Sequence, residues 1–350
     1  MGDVTKSMTG KVCMVTGATA GIGAATAQAL AQQGATVIVV GRNPEKGGAA
    51  VERIKHRTGN HQVAFLLADL SVQYEIHQLV QQFKSCYHRL DVLVNNAAAL
   101  FATRQLSVDG IEMTFAVNHL SYFLLTNLLL DTLRASTPAR IINVSSHAHA
   151  VPPLPLAALQ DQQRHPGRSF WKNLLLRKLN ALARLSKKSV PEESPGEGID
   201  FDNLQGQHHY LGWRVYGLSK LANILFTYEL ARRLEGTGIT VNALDPGVVA
   251  TNALASSLRL RGVGWLGRLL FELKAVNSAR GAATTVYLAT SPDVEGITGE
   301  YFVGKKTVPS STASYDKVAA QQLWQLSMEL TGLSVSAQVD EYTSREKRAS

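Results

Sequence analysis

Seven short runs rich in valine and isoleucine, at 12–16, 36–40, 63–67, 92–95, 141–144, 241–244 and 301–303, are apolar almost throughout rather than at alternate positions. A strand with one face in water alternates, whereas a strand apolar on both faces must be covered on both. Helix-period stretches such as 22–33, 45–57 and 75–87 separate these runs. Strands that alternate with helices join in parallel through crossovers, so the order predicts a doubly wound α/β fold with a seven-stranded, mostly parallel sheet. Two segments break the rhythm. Residues 152–206 hold six prolines and read as an insertion between a strand and the next helix, and residues 306–350 follow the last strand with a helical pattern near 317–331 and a charged tail. The expected organisation is one domain over 9–305, interrupted by the insertion 152–206, with a C-terminal helical extension and tail over 306–350.

The glycines show what such a sheet could hold. The first strand runs directly into Thr16-Gly17-Ala18-Thr19-Ala20-Gly21-Ile22-Gly23 and then a helix. Glycines let the backbone turn sharply and approach a pyrophosphate, and the helix N-terminus supplies free N–H groups and a positive dipole end. A tight strand–helix turn is the plain alternative, but the place in the first βαβ unit favours dinucleotide binding. An NAD site wants a carboxylate at the end of the second strand, to hold the ribose 2′-hydroxyl. That strand ends Val39-Val40-Gly41-Arg42, and a guanidinium there suits bidentate contact with a 2′-phosphate. NADP(H) is therefore expected over NAD(H), against the alternative of a solvated loop arginine.

Tyr216 and Lys220 begin a later apolar-periodic helix, four residues apart and so on one face. A nearby ammonium stabilises a phenolate and would lower the tyrosine pKa from about 10 towards a working pH. Ten tyrosines make one chance occurrence of this spacing unsurprising. The pair gains weight from Ser145-Ser146 at the end of the 141–144 strand, where the carboxyl edge of a doubly wound sheet faces its ligand.

Taken together, Thr16 to Gly23, Asn95-Asn96-Ala97-Ala98, Asn118, Ser146, Tyr216 with Lys220, and Pro246-Gly247 before Thr251 follow the order of the short-chain dehydrogenases/reductases, which the chain resembles over roughly 9–151 and 199–332. The stretches VNHLSYFLLTNLLL and YGLSKLANILFTYELARRLEGTGITVNALDPGVVAT resemble the retinol dehydrogenase-like branch. The resemblance implies a Rossmann fold and a catalytic set of Asn118, Ser146, Tyr216 and Lys220. Tyr216 would be the general acid or base, Lys220 would lower its pKa and hold the nicotinamide ribose, Ser146 would position the carbonyl or hydroxyl, and Asn118 would hold a relay water. It also implies cofactor contacts from Thr16, Gly17, Thr19, Gly21, Ile22, Gly23 and Arg42, from Asp69 and Leu70 beside the adenine, and from Asn95 and Ala97. Pro246, Gly247, Val249 and Thr251 would complete them near the nicotinamide. Departures are Ala98 for the usual glycine, Asp245 where relatives of this branch carry histidine, and an unusually long stretch between Ser146 and Tyr216.

Charge bears mostly on that stretch. The formal net charge is +8, yet residues 160–190 carry eight lysines and arginines against the single acid Asp161. Almost all the imbalance sits in one segment, which argues against a nucleic-acid protein. Basic amphipathic helices are expected at 170–189, where Trp171, Leu175, Leu179 and Leu182 share a face, and at 257–274. Each is a candidate for contact with an anionic membrane, for a homo-oligomer contact, or for packing on the protein's own surface. No run of eighteen apolar residues occurs, the first ten residues read as a short polar leader, and Cys13 and Cys86 read as reduced thiols of a cytoplasmic protein. The expected activity is alcohol–carbonyl interconversion on a small hydrophobic substrate, with no metal. The rival readings are a protochlorophyllide-reductase-like C=C reductase and a non-catalytic NADP sensor or scaffold.

Overall fold

The computed structural model describes residues 7–150, 198–247 and 278–333. Val249 and Thr251, both amphipathic stretches and most of the 152–206 insertion lie outside the described residues. In chain order the main elements are β1 (Val12–Thr16), α1 (Gly21–Gln32), β2 (Thr36–Gly41), α2 (Pro44–Thr58), β3 (Val63–Leu67), α3 (Gln73–Cys86) and β4 (Val92–Asn95). They continue with α4 (Met113–Ala135), β5 (Ala139–Val144), α5 (Gly212–Arg233), β6 (Ile239–Asp245), α6 (Ser278–Thr290), β7 (Tyr301–Val303), β8 (Lys306–Thr307) and α7 (Lys317–Thr331).

The strands form one sheet in the order β3-β2-β1-β4-β5-β6-β7-β8, parallel except for the β7–β8 pair. Eight strands stand where seven were expected. The extra one is two exposed residues that fold back on β7, too short and too polar for any periodicity to mark. The order reverses between β1 and β4, which opens a crevice at the carboxyl ends of those strands.

Side-chain alternation explains why both faces needed apolar residues. Met14, Ile38, Leu93, Ile141 and Val241 point to one face and pack with α3, α4, α5 and α7. Cys13, Val37, Val39, Val94 and Leu244 point to the other and pack with α1, α2 and α6. Helix α4 is long and apolar enough to cross a membrane, but it is mostly buried inside the protein, and Phe123, Leu125 and Leu129 join the central core. Helix α7 packs on α5 and sends Trp324 and Met328 into the same core. Helix α4 is irregular near its start, where Ala116–Leu120 forms a π turn that carries Asn118. Such turns concentrate at functional sites.

Candidate active site

The glycine loop follows β1 and is braced from behind by Asn96. Gly17 and Gly21 hold positive φ of 64° and 59°, a region that costs other residues energy. Gly23 has no room for a side chain, since a Cβ there would lie 2.6 Å from both Asn96 Nδ2 and the Gly17 carbonyl. Asn96 Nδ2 donates to the Thr16 carbonyl at 2.8 Å, and Thr16 Oγ1 accepts from the backbone N–H of Asn96 and Ala97 at 2.8 and 3.1 Å. Ile22 is buried behind the loop. The Thr19 methyl would lie 2.7 Å from a Cβ on Gly41, so the loop and the end of β2 touch.

Beyond β2, Arg42 Nη1 lies 3.8 Å from Asp69 Oδ2, with Arg42 70% exposed. Asp69 Oδ1 in turn accepts from the Ser71 N–H and hydroxyl, while Leu70 is buried. Asn95 goes elsewhere. Its Nδ2 donates to Asn143 Oδ1 at 2.9 Å and Thr126 Oγ1 at 3.0 Å, so its side chain lies inside the sheet–helix interface. Ala97 backs Gly17, and a Cβ on that glycine would meet its Cα at 2.8 Å.

The two serines after β5 divide their work. Ser145 Oγ donates to the Lys220 carbonyl at 2.8 Å and ties α5 to the sheet edge, whereas Ser146 lies beside the Tyr216 phenol and favours its ionised form. Gly217 presses on the short turn after Ser146, with the Ala148 carbonyl 2.9 Å from where a Cβ would be. Lys220 Nζ donates to the Val144 carbonyl at 2.9 Å and lies 5.7 Å from the Tyr216 ring centre and 5.6 Å from that of Tyr122. Asn118 Nδ2 donates to Ser219 Oγ at 2.9 Å, and Ser219 Oγ donates to the Tyr216 carbonyl at 2.7 Å. Asn118, Ser146, Tyr216 and Lys220 thus converge at the carboxyl ends of β4 and β5. After β6, Gly247 N–H donates to Asp245 Oδ1 at 2.9 Å and shapes the turn through Pro246.

Electrostatics departs from the expected pattern. Burial pushes the Tyr216 phenol up to about 12, the Ser146 hydrogen bond pulls it down and the Asp245 carboxylate adds to the rise. Burial also draws the Lys220 ammonium down to about 7. The Lys220 ammonium faces the Val144 carbonyl and the rings of Tyr122 and Tyr216.

His119, beside Asn118, is fully buried. Burial lowers it to about 4, with a hydrogen bond to Asn223 acting the other way. An unfolded histidine titrates near 6.5, so between pH 4 and 6.5 the unfolded chain binds a proton that the native protein does not. The stability this group contributes is complete above pH 6.5 and lost as pH falls through 4. Thermal unfolding over that range should show Tm falling towards acid, less steeply in His119→Phe; equal slopes would count against it.

The residues present fit a dinucleotide. The positive-φ glycines, the Gly23 position that admits no Cβ, the helix N-terminus of α1 and the Lys220 ammonium supply what a pyrophosphate and a ribose need. Several contributors had gone unread: Asn96, Ser219, Asn223 and Trp213, whose indole stacks on the Tyr216 ring at 5.7 Å. Asn96 stands inside the Asn95-Asn96-Ala97-Ala98 motif, and Trp213 and Ser219 each lie three residues from Tyr216 on α5, whereas the contacts of Asn223 are tertiary.

The short-chain dehydrogenase family model matches residues 11–159 and 156–260. Mouse retinol dehydrogenase 12 is 36% identical over 324 residues, spanning 93% of this chain and 87% of its own length. Human polyprenol dehydrogenase is 36% identical over 334 residues, covering 92% and 86%. Among solved structures, a Mycobacterium paratuberculosis protein superposes with a TM-score of 0.63 at 30% identity, covering 93% and 94%. The NADP complex of Pseudomonas aeruginosa RhlG gives 0.60 at 22% identity, over 86% and 96%, which speaks for the fold alone. With its doubly wound sheet, glycine loop and Ser–Tyr–Lys cluster, the chain belongs to the short-chain dehydrogenases, in the retinol dehydrogenase-like branch.

Proposed function

We propose that the protein is a cytoplasmic NADP(H)-dependent oxidoreductase that interconverts an alcohol and an aldehyde or ketone on a small hydrophobic substrate, with Tyr216 as general acid and base. The observation that carries this reading is the meeting of the Ser146 and Tyr216 hydroxyls at the sheet edge beside Lys220. A bound nicotinamide would supply or accept the hydride. The two hydroxyls would grip the substrate oxygen between them, and Tyr216 would pass its proton to that oxygen in reduction or take it in oxidation. A phenol held near 12 is fully protonated at neutral pH, which suits the acid role. The Lys220 ammonium beside the ring would stabilise the phenolate left behind. The second lone pair of the Asn118 carbonyl would hold a water between Lys220 and solvent. Trp213 on the Tyr216 ring supplies apolar surface next to the reacting group, in keeping with a hydrophobic substrate.

The cofactor choice rests on Arg42 after β2, in place of a carboxylate. Losing charge-assisted contacts of about 1.5–3 kcal/mol, Arg42→Leu should weaken NADPH binding roughly tenfold to a hundredfold and leave NADH binding unchanged. Fluorescence titration with both nucleotides checks it, and a wild-type protein that binds them equally would remove the NADP(H) assignment. For the reaction itself, NADPH oxidation is followed against saturated, aryl and polyene aldehydes. No turnover of any of them, with cofactor bound, would leave the non-catalytic reading standing.

A further inference from the structure

The side chain of Asn118 is held at both its amide atoms. Its Nδ2 donates to the Ala99 carbonyl at 3.0 Å and to Ser219 Oγ at 2.9 Å, and its Oδ1 accepts from the Ala99 N–H at 2.7 Å. Its main-chain carbonyl is engaged separately. That carbonyl accepts from Asn223 Nδ2 at 2.9 Å, across from α5. Asn223 lies three residues beyond Lys220, on the same stretch of helix. Its other amide atom, Oδ1, faces His119 Nδ1 at 3.3 Å, and His119 Nε2 faces Ser327 Oγ at 3.0 Å, on α7.

The polarity of these contacts is fixed from Asn118 as far as His119. A carbonyl accepts only, so the Asn223 nitrogen must face Asn118, which leaves Asn223 Oδ1 to accept from His119. The neutral imidazole then carries its proton on Nδ1, and Nε2 accepts from the Ser327 hydroxyl. That hydroxyl also lies 2.7 Å from the Leu323 carbonyl of its own helix, so its one proton chooses between two acceptors. Asn118, His119, Asn223 and Ser327 are all fully buried, and Phe115, Phe123 and Phe226 surround the imidazole. Beyond Asn118 the chain of contacts continues through Ser219 to the Tyr216 carbonyl. The C-terminal helix thereby reaches, through the His119–Ser327 contact, the chain of side chains that ends at the residue that handles the proton.

We infer that α7 belongs to the catalytic apparatus, with Ser327, His119 and Asn223 acting as positioning residues that lock the π turn Ala116–Leu120 and hold the Asn118 carbonyl and Tyr216 in register. A π turn departs from α-helical bonding, so its carbonyl directions depend on what answers them from outside the helix. Here a side chain of the catalytic helix answers, and its own orientation is fixed from α7 by way of His119. The inference rests on Tyr216 being the acid/base group.

The test uses the full chain with His119→Phe, which keeps an aromatic ring and loses both hydrogen bonds, and Ser327→Ala, which removes only the distal hydroxyl. NADPH affinity is read by fluorescence titration, turnover per bound NADPH on an aldehyde the wild type reduces, and amide hydrogen exchange over residues 113–121. For His119→Phe, kcat should fall about tenfold, an amount equal to one well-placed hydrogen bond. KM and NADPH affinity should stay within about twofold, the mark of an interaction made in the transition state. Ser327→Ala should shift the same way by less, and exchange over 113–121 should quicken in both. Unchanged kcat per bound NADPH together with a lowered Tm would overturn the inference, leaving the network a packing device. If the wild type reduces no aldehyde, the functional reading fails by itself. The exchange measurement then decides alone, and unaltered exchange in Ser327→Ala overturns the link to α7. Should His119→Phe not fold, Ser327→Ala carries every arm.

Discussion

Tyr216→Phe is expected to lower turnover roughly 1,000-fold, within the range that positioned proton transfer contributes, while the protein folds normally and binds its nucleotide as before. Phenylalanine keeps the ring that stacks on Trp213 and faces Lys220 and removes only the hydroxyl that Ser146 engages. The loss should appear in kcat rather than in nucleotide affinity, since the proton is needed in the transition state. The measurement is steady-state NADPH oxidation with the best aldehyde found for the wild type, alongside fluorescence titration of NADPH. A variant that retained more than a tenth of wild-type turnover would show that some other group delivers the proton.

The second large effect concerns binding. Gly23→Val would place a branched side chain where even a Cβ comes within 2.6 Å of Asn96 Nδ2 and of the Gly17 carbonyl. The carbonyl is backbone and cannot yield, so the loop must open and the N–H groups at the start of α1 lose their aim at a pyrophosphate. Two charge-assisted hydrogen bonds at about 1.5–3 kcal/mol each amount to a loss of NADPH affinity of at least about 100-fold. Titration of folded protein checks it. Binding within about fivefold of wild type would mean that the phosphates do not sit in this loop. Asn96→Ala should give a weaker version of the same loss, because it removes the brace without blocking the cradle.

Particular residues show what the sequence could tell and where it stopped. The strands were legible because each is short, apolar on both faces and flanked by helical periodicity, so Val12–Thr16, Val92–Asn95 and Tyr301–Val303 were readable as such. Lys306–Thr307 was not, since its pairing with β7 owes nothing to its side chains. The π turn was hidden inside VNHLSYFLL, whose spacing reads as an ordinary apolar helix; the side chain that answers the Asn118 carbonyl, Asn223, stands more than a hundred residues on. Ser146, Tyr216 and Lys220 could be named because their order along the chain matched a family. The direction in which Lys220 points could not, because it is set by the Val144 carbonyl and the rings of Tyr122 and Tyr216 once α5 docks on β5. Asn95 shows the converse, a motif residue whose side chain serves the core.

Asn95 and Asn143 are register partners on β4 and β5, and their amides join each other and reach Thr126 on α4 and Thr227 on α5. Valine and leucine neighbours tolerate sliding, because one apolar contact resembles the next. Buried amides do not. If β4 slipped by one residue against β5, its side chains would exchange faces, and the Nδ2 groups of the two buried amides would lose their acceptors, at about 1–3 kcal/mol for each unsatisfied group. The pair therefore acts as a key in a lock of otherwise interchangeable teeth: it admits one alignment of the central strands, the one that brings Ser146 and Asn118 to the same edge.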